Sequence, residues 1–198
     1  MNKYFIVHKP YRILSQFSSP DGKQTLKNIF DVPSNVYPVG RLDYDSEGLL
    51  LLTDDKKLNE LLLDPSFGHE REYWVQVEGM ISQQAIDKLQ QGVEININGK
   101  IYRSKKCRIK TFPSSSPKVS DRIPPIRFRK NIPDSWISII LTEGKNRQVR
   151  KMTSSVGHPT LRLIRYRIEN VTLGELRPGE MRTISQEEMY NLLKIKNR

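Results

Sequence analysis

A chain of 198 residues is long enough to bury a sizeable core, and its 33 Lys and Arg outnumber 22 Asp and Glu for a formal charge of +11, which points to a polyanionic partner, nucleic acid first. No segment approaches the roughly 20 apolar residues that span a bilayer, no basic amphipathic helix presents a large apolar face to a membrane surface, and Lys3, His8, Lys9 and Arg12 interrupt the apolar positions of residues 1–14, leaving no signal-peptide core. The single cysteine, Cys107, has no partner for an intramolecular disulfide, and three histidines without shared spacing make no zinc pattern, so the expectation is a cytoplasmic protein without a structural metal.

In chain order, Tyr4 to Val7 reads as a strand. Thr25 to Phe30, with Leu26, Ile29 and Phe30 at helical spacing, reads as a short helix. Gly40 to Gly48 is a polar, glycine-bounded loop that feeds an apolar strand, Leu49 to Leu52. Asp54 or Asp55 is placed to cap a helix running to about Leu63, with Pro65 just beyond its end. Tyr73 to Val77 suggests a further strand, and Ser82 an N-cap for a helix that stops at Gly92. The Ser- and Pro-rich segment 111–121 reads as an exposed loop. Residues 122–133 combine cations with prolines and are expected to face RNA rather than core. Trp136 to Thr142 alternates as a strand, and Gly144 then turns the chain into a basic helix that ends before Gly157 and Pro159. Ser185, with Glu188 three positions on, forms a capping-box signal for the last helix. Strands and helices without regular βα alternation argue for an α+β domain on a largely antiparallel sheet.

The densest polar group in apolar surroundings is Arg41-Leu-Asp43. A carboxylate is costly to desolvate without a partner, and a nearby guanidinium would hold Asp43 ionised as a nucleophile or base. Equally, the spacing alone fits an aspartate that caps a turn. The basic helix supplies candidate cations: Val149, Met152 and Val156 make its apolar stripe, so Arg147 and Lys151 point away while Arg150 lies at the flank. Tyr73 reads either as a site residue or as a strand aromatic of the core, and Lys9 and Pro10 as scaffold only.

The segment 39–54, Val-Gly-Arg-Leu-Asp-Tyr-Asp-Ser-Glu-Gly-Leu-Leu-Leu-Leu-Thr-Asp, resembles the central motif of the RsuA-type pseudouridine synthases, with Asp43 on the catalytic aspartate. Lys9 to Ser15, Arg71-Glu-Tyr73 and Glu143 to Met152 resemble three further motifs of that family in the same order, although Arg71 stands where lysine is commoner. The resemblance implies an antiparallel sheet with flanking helices and a central RNA-binding cleft. It implies one catalytic domain over residues 1–198, in two subdomains and without an accessory N-terminal RNA-binding domain. The implied activity is cofactor-free isomerisation of a specific uridine in large-subunit (23S) ribosomal RNA. Asp43, Arg150 as its cation and Tyr73 against the target base are the implied catalytic residues.

A stacked uridine must be extruded before it can react. Arg41 is expected to fill the vacated stack, and Lys145, Asn146, Arg147, Gln148, Lys151, Arg162, Arg165, Arg127 and Arg129 to contact RNA. No protein partner is demanded and a monomer is expected. Two other readings compete: an RNA-binding assembly factor whose aspartate is idle, and a divalent-metal site on Asp43 and Asp45.

Overall fold

The structure is a computed structural model and describes residues 2–19, 21–112, 116–126 and 132–195. In chain order the elements are β1 (Tyr4–Lys9), β2 (Tyr37–Pro38), β3 (Glu47–Thr53), α1 (Lys56–Leu63), β4 (Arg71–Glu78), α2 (Gln83–Gln91), β5 (Glu94–Ile97), β6 (Lys100–Arg103), β7 (Arg108–Thr111), β8 (Asp134–Leu141), α3 (Gln148–Ser155), β9 (Thr160–Ile168), β10 (Val171–Thr172), β11 (Met181–Ile184) and α4 (Gln186–Leu192). They group into two compact units, residues 1–69 with 164–198, and residues 70–163.

In the first unit β1 lies between β11 and β3, antiparallel to both. β2 adds antiparallel to β3 and β10 to β9. The exception is parallel: Glu47 and Gly48 of β3 pair with Ile164 and Arg165 of β9. Every residue of β3 is buried, so its side chains fill both faces of the sheet. Leu50 and Leu52 pack with Phe5, Val7, Leu26 and Phe30 on one side. The helix expected over 25–30 shrinks to a single 3-10 turn, Leu26–Asn28.

Asp55 ties three elements of this unit together. One carboxylate oxygen accepts the Lys57 and Leu58 N–H groups that open α1, and the other accepts the hydroxyls of Tyr4 and Tyr190 at 2.6 and 2.7 Å. Burial alone would raise its pKa, but these four hydrogen bonds win and lower it. Of the two aspartates offered as a cap, Asp55 is the one used.

In the second unit β4, β8 and β7 form an antiparallel run, with Val75 opposite Ile137 and Ile109 opposite Ile139. Ser82 caps α2 by accepting the Ala85 N–H. Ile86 and Leu89 of α2 and Val149 and Met152 of α3 close over Val75, Val77, Ile137 and Ile139. β5 and β6 pair as a separate hairpin. Cys107 is half-buried; desolvation, with Glu143 adding to it, pushes its thiol up to about 11, so it stays protonated at neutral pH. At the chain's end Ser185 accepts the Glu188 N–H, as the capping signal predicts.

Candidate active site

The Asp43 loop is held by backbone geometry. Ser46 N–H donates to the Asp43 carbonyl at 3.0 Å, closing a tight turn, and Arg12 N–H donates to the Tyr44 carbonyl at 2.8 Å. Ser15 grips the preceding residue twice: its hydroxyl donates to the Leu42 carbonyl and accepts from the Leu42 N–H. Leu42 is buried, while Asp43 is half-buried and Arg41 exposed. The motif's closing glycine has a steric reason. Gly48 has φ +112°, and a β-carbon there would stand 2.3 Å from the Arg165 carbonyl oxygen, so only glycine lets β3 approach β9 so closely.

Charge beneath the loop is arranged by the same strand pairing. Lys9 is the cross-strand partner of Gly48 and is fully buried. Its ammonium donates to the carbonyls of Pro10 and Ile13. Desolvation lowers its pKa to about 7; Glu47, Asp45 and Asp43 pull it back up, and Arg165 pushes it down. Lys9, read from sequence as scaffold only, is thus a buried cation on which Glu47, Asp45 and Asp43 all act. Its signal was hidden because all six residues of β1 are buried, so no alternation marks the lysine as inward. Asp45, the second half of the metal reading, acts on the same lysine. The described residues contain no group of three or more His, Cys, Asp or Glu able to hold a metal ion.

Three expected RNA contacts need correction. Arg162 and Arg165 are each 5% exposed, so neither is displayed for phosphate. Arg165 Nε donates to the Leu49 carbonyl at 2.8 Å and Arg162 to the Ser120 carbonyl at 2.9 Å. Strand β9 carries them inward, and each donates to a backbone carbonyl. Gln148 is also buried: its side chain accepts the Lys145 N–H and donates to Glu143. Arg127 and Arg129 lie outside the described residues.

In the second unit the basic helix begins later than its sequence suggests. Arg147 has φ +52°, a left-handed conformation that stops helical continuation upstream, so Lys145, Asn146 and Arg147 form an exposed loop before α3. Arg150 is half-buried at the flank of α3, as the stripe of Val149 and Met152 requires, with its guanidinium 3.5 Å from the Thr160 carbonyl. Lys151 is half-buried. Tyr73 lies opposite Ile139 on β4, half-buried along the core of this unit, and Arg71 lies opposite Leu141.

Such a constellation, a carboxylate on a rigid glycine-bounded turn within a strongly cationic chain, suits reaction on a polyanionic substrate. Residues 3–155 match the family described as RNA pseudouridylate synthase, and the chain belongs to that family. Among its relatives, ribosomal large subunit pseudouridine synthase E of Vibrio parahaemolyticus is 45% identical over 182 residues, 92% of this chain and 74% of that one. The synthase E of Xanthomonas campestris is 47% identical over 179 residues, 89% of this chain and 92% of its own. A crystal structure of a pseudouridylate synthase matches 97% of this chain and 74% of its own at a TM-score of 0.77 and 26% identity. The fold is therefore that of a pseudouridine synthase, and the resemblance drawn from the motifs holds.

Proposed function

We propose that this chain isomerises one uridine of large-subunit (23S) ribosomal RNA to pseudouridine, with Asp43 as the catalytic carboxylate. The observation that carries the reading is the loop itself: the family's central motif falls on a turn held by Ser15 and Arg12 and underlain by buried Lys9. The reaction breaks a glycosidic bond, rotates the base and rejoins it through C5. No atoms are gained and no redox change occurs, so a positioned acid and a site that retains the detached base suffice.

From their places in the matching motifs, Arg150 supplies the site's cation, and the Tyr73 ring stacks on the target base. Arg41, exposed beside Asp43, fills the gap left by the extruded nucleotide. The exposed loop of Lys145, Asn146 and Arg147, together with Lys151, contacts the RNA backbone. Both units serve one catalytic domain, because the family match runs through residues of each. The protein acts as a cytoplasmic monomer.

Mapping pseudouridines in ribosomal RNA from cells with and without the gene tests this reading. One 23S position should lose its modification, regain it with the wild-type gene and stay unmodified with Asp43→Asn. Identical maps in all three strains would contradict it.

A further inference from the structure

Between Glu94 and Asp121 the chain contains no acidic residue, yet Lys100, Arg103, Lys105, Lys106, Arg108 and Lys110 fall within eleven positions. All six are exposed. Two have acidic neighbours: Arg108 pairs with Glu70 at 2.7 Å, and Arg103 faces Glu94 across the β5–β6 hairpin. Lys100, Lys105, Lys106 and Lys110 form no ion pair with any described residue.

Lysines on an edge strand often serve only to prevent edge-to-edge association. That explains Lys110 on β7, the last strand of this unit's antiparallel run, but not Lys105 and Lys106, which lie between strands. Nor does it explain how this segment is anchored. Glu143, 7% exposed, accepts the Tyr102 hydroxyl, the Lys105 N–H at 2.9 Å and the side-chain amide of Gln148. The Lys145 ammonium lies over the Tyr102 ring, 5.3 Å from its centre. One buried carboxylate thus fixes segment 102–105 to the loop that opens α3, all within the second unit.

From this we infer that the ribbon of Lys100, Lys105, Lys106 and Lys110 is a second RNA-binding surface. It continues the Lys145–Arg147 loop and takes the sugar-phosphate backbone of a folded RNA helix. The inference rests on the RNA-modifying reading above and extends it to residues outside the family's motifs. Unneutralised ammonium groups on a fixed backbone suit phosphates, whose contacts carry position rather than sequence, and A-form duplexes are recognised largely by shape and backbone.

The test uses the full chain carrying Lys100→Gln, Lys105→Gln, Lys106→Gln and Lys110→Gln together. Binding to an unmodified 23S rRNA transcript and to a 12-nucleotide oligouridine is titrated between about 50 and 200 mM salt. The ribbon predicts that the dependence of log affinity on log salt for the transcript becomes shallower by about 1 for each lysine that touches phosphate, with little change for the oligouridine. The four matching Lys→Arg changes should restore the slope. Should the quadruple variant misfold, Lys105→Gln with Lys106→Gln, confined to the connecting segment, carries the same prediction at half the size. An unchanged slope in a folded variant overturns the ribbon, as does equal loss on both RNAs. Because binding is read without turnover, and equally with Asp43→Asn, absence of pseudouridine formation would remove the functional reading without altering this result.

Discussion

Around the candidate site residues the two units place charge differently. In the first, Lys9, Glu47 and Arg165 are buried at the base of the motif loop, where Lys9 and Arg165 donate to backbone carbonyls and Glu47 acts on Lys9, while Asp55 is buried at the far end of β3 and accepts two tyrosine hydroxyls. In the second, Lys105, Lys106, Lys145 and Arg147 stand exposed on loops anchored through Glu143. Buried charges fix geometry, because displacing any of them strands another without a partner. Exposed ones attract a mobile polyanion and are weakened by salt. A cationic total says nothing about this division.

The largest expected effect on stability is at Gly48. Gly48→Ala places a methyl group against the Arg165 backbone and forces β3 from β9, so it should lower unfolding stability by about 3 kcal/mol; chemical denaturation measures it. A loss under about 0.5 kcal/mol, the range of ordinary surface changes, would show that the loop's base is not rigid.

Next comes the contrast between two kinds of cation. Arg165→Gln should cost about 2 kcal/mol of stability by removing a buried charge-assisted hydrogen bond, while leaving the salt dependence of RNA binding unchanged. Lys145→Gln with Arg147→Gln should leave stability within about 0.5 kcal/mol and make that dependence shallower. If the two variants exchanged these signatures, the division of labour between the units would be wrong.

The last effect is a pH slope, spread over several pH units. Lys9 carries a pKa of about 7 in the folded chain, below its ordinary value of 10.5. Between those values the unfolded chain binds the extra proton, so the cost of burying the ammonium is relieved and stability should rise as pH climbs from about 7 towards 10, with no pH slope from this group below 7. Lys9→Met should flatten that part of the profile. An unaltered profile would mean that Lys9 is not held in the dry environment described.

Much of this was readable in advance. Asp55, Ser82 and Ser185 announced their helices because a capping side chain is a local signal, and the loop around Asp43 stood out because polar residues were trapped between a glycine and four leucines. What escaped depends on distant partners. Nothing local tells that Lys9 lies opposite Gly48, or that Arg162 and Arg165 on β9 turn towards carbonyls of other segments. Arg147 adopts a left-handed backbone usually left to glycine or asparagine, which delayed α3 by a turn. The 100–110 segment matches none of the motifs, and its anchor, Glu143, lies about forty residues further along the chain.

The central claim is that one carboxylate performs the chemistry. Purified wild-type and Asp43→Asn chains, each incubated with unmodified 23S rRNA tritiated at uridine C5, provide the direct comparison. The wild type should release tritium, and Asp43→Asn should release it about 10³-fold more slowly or not at all while binding the RNA equally well. Release at the wild-type rate from Asp43→Asn, or none from the folded wild type, would contradict the account.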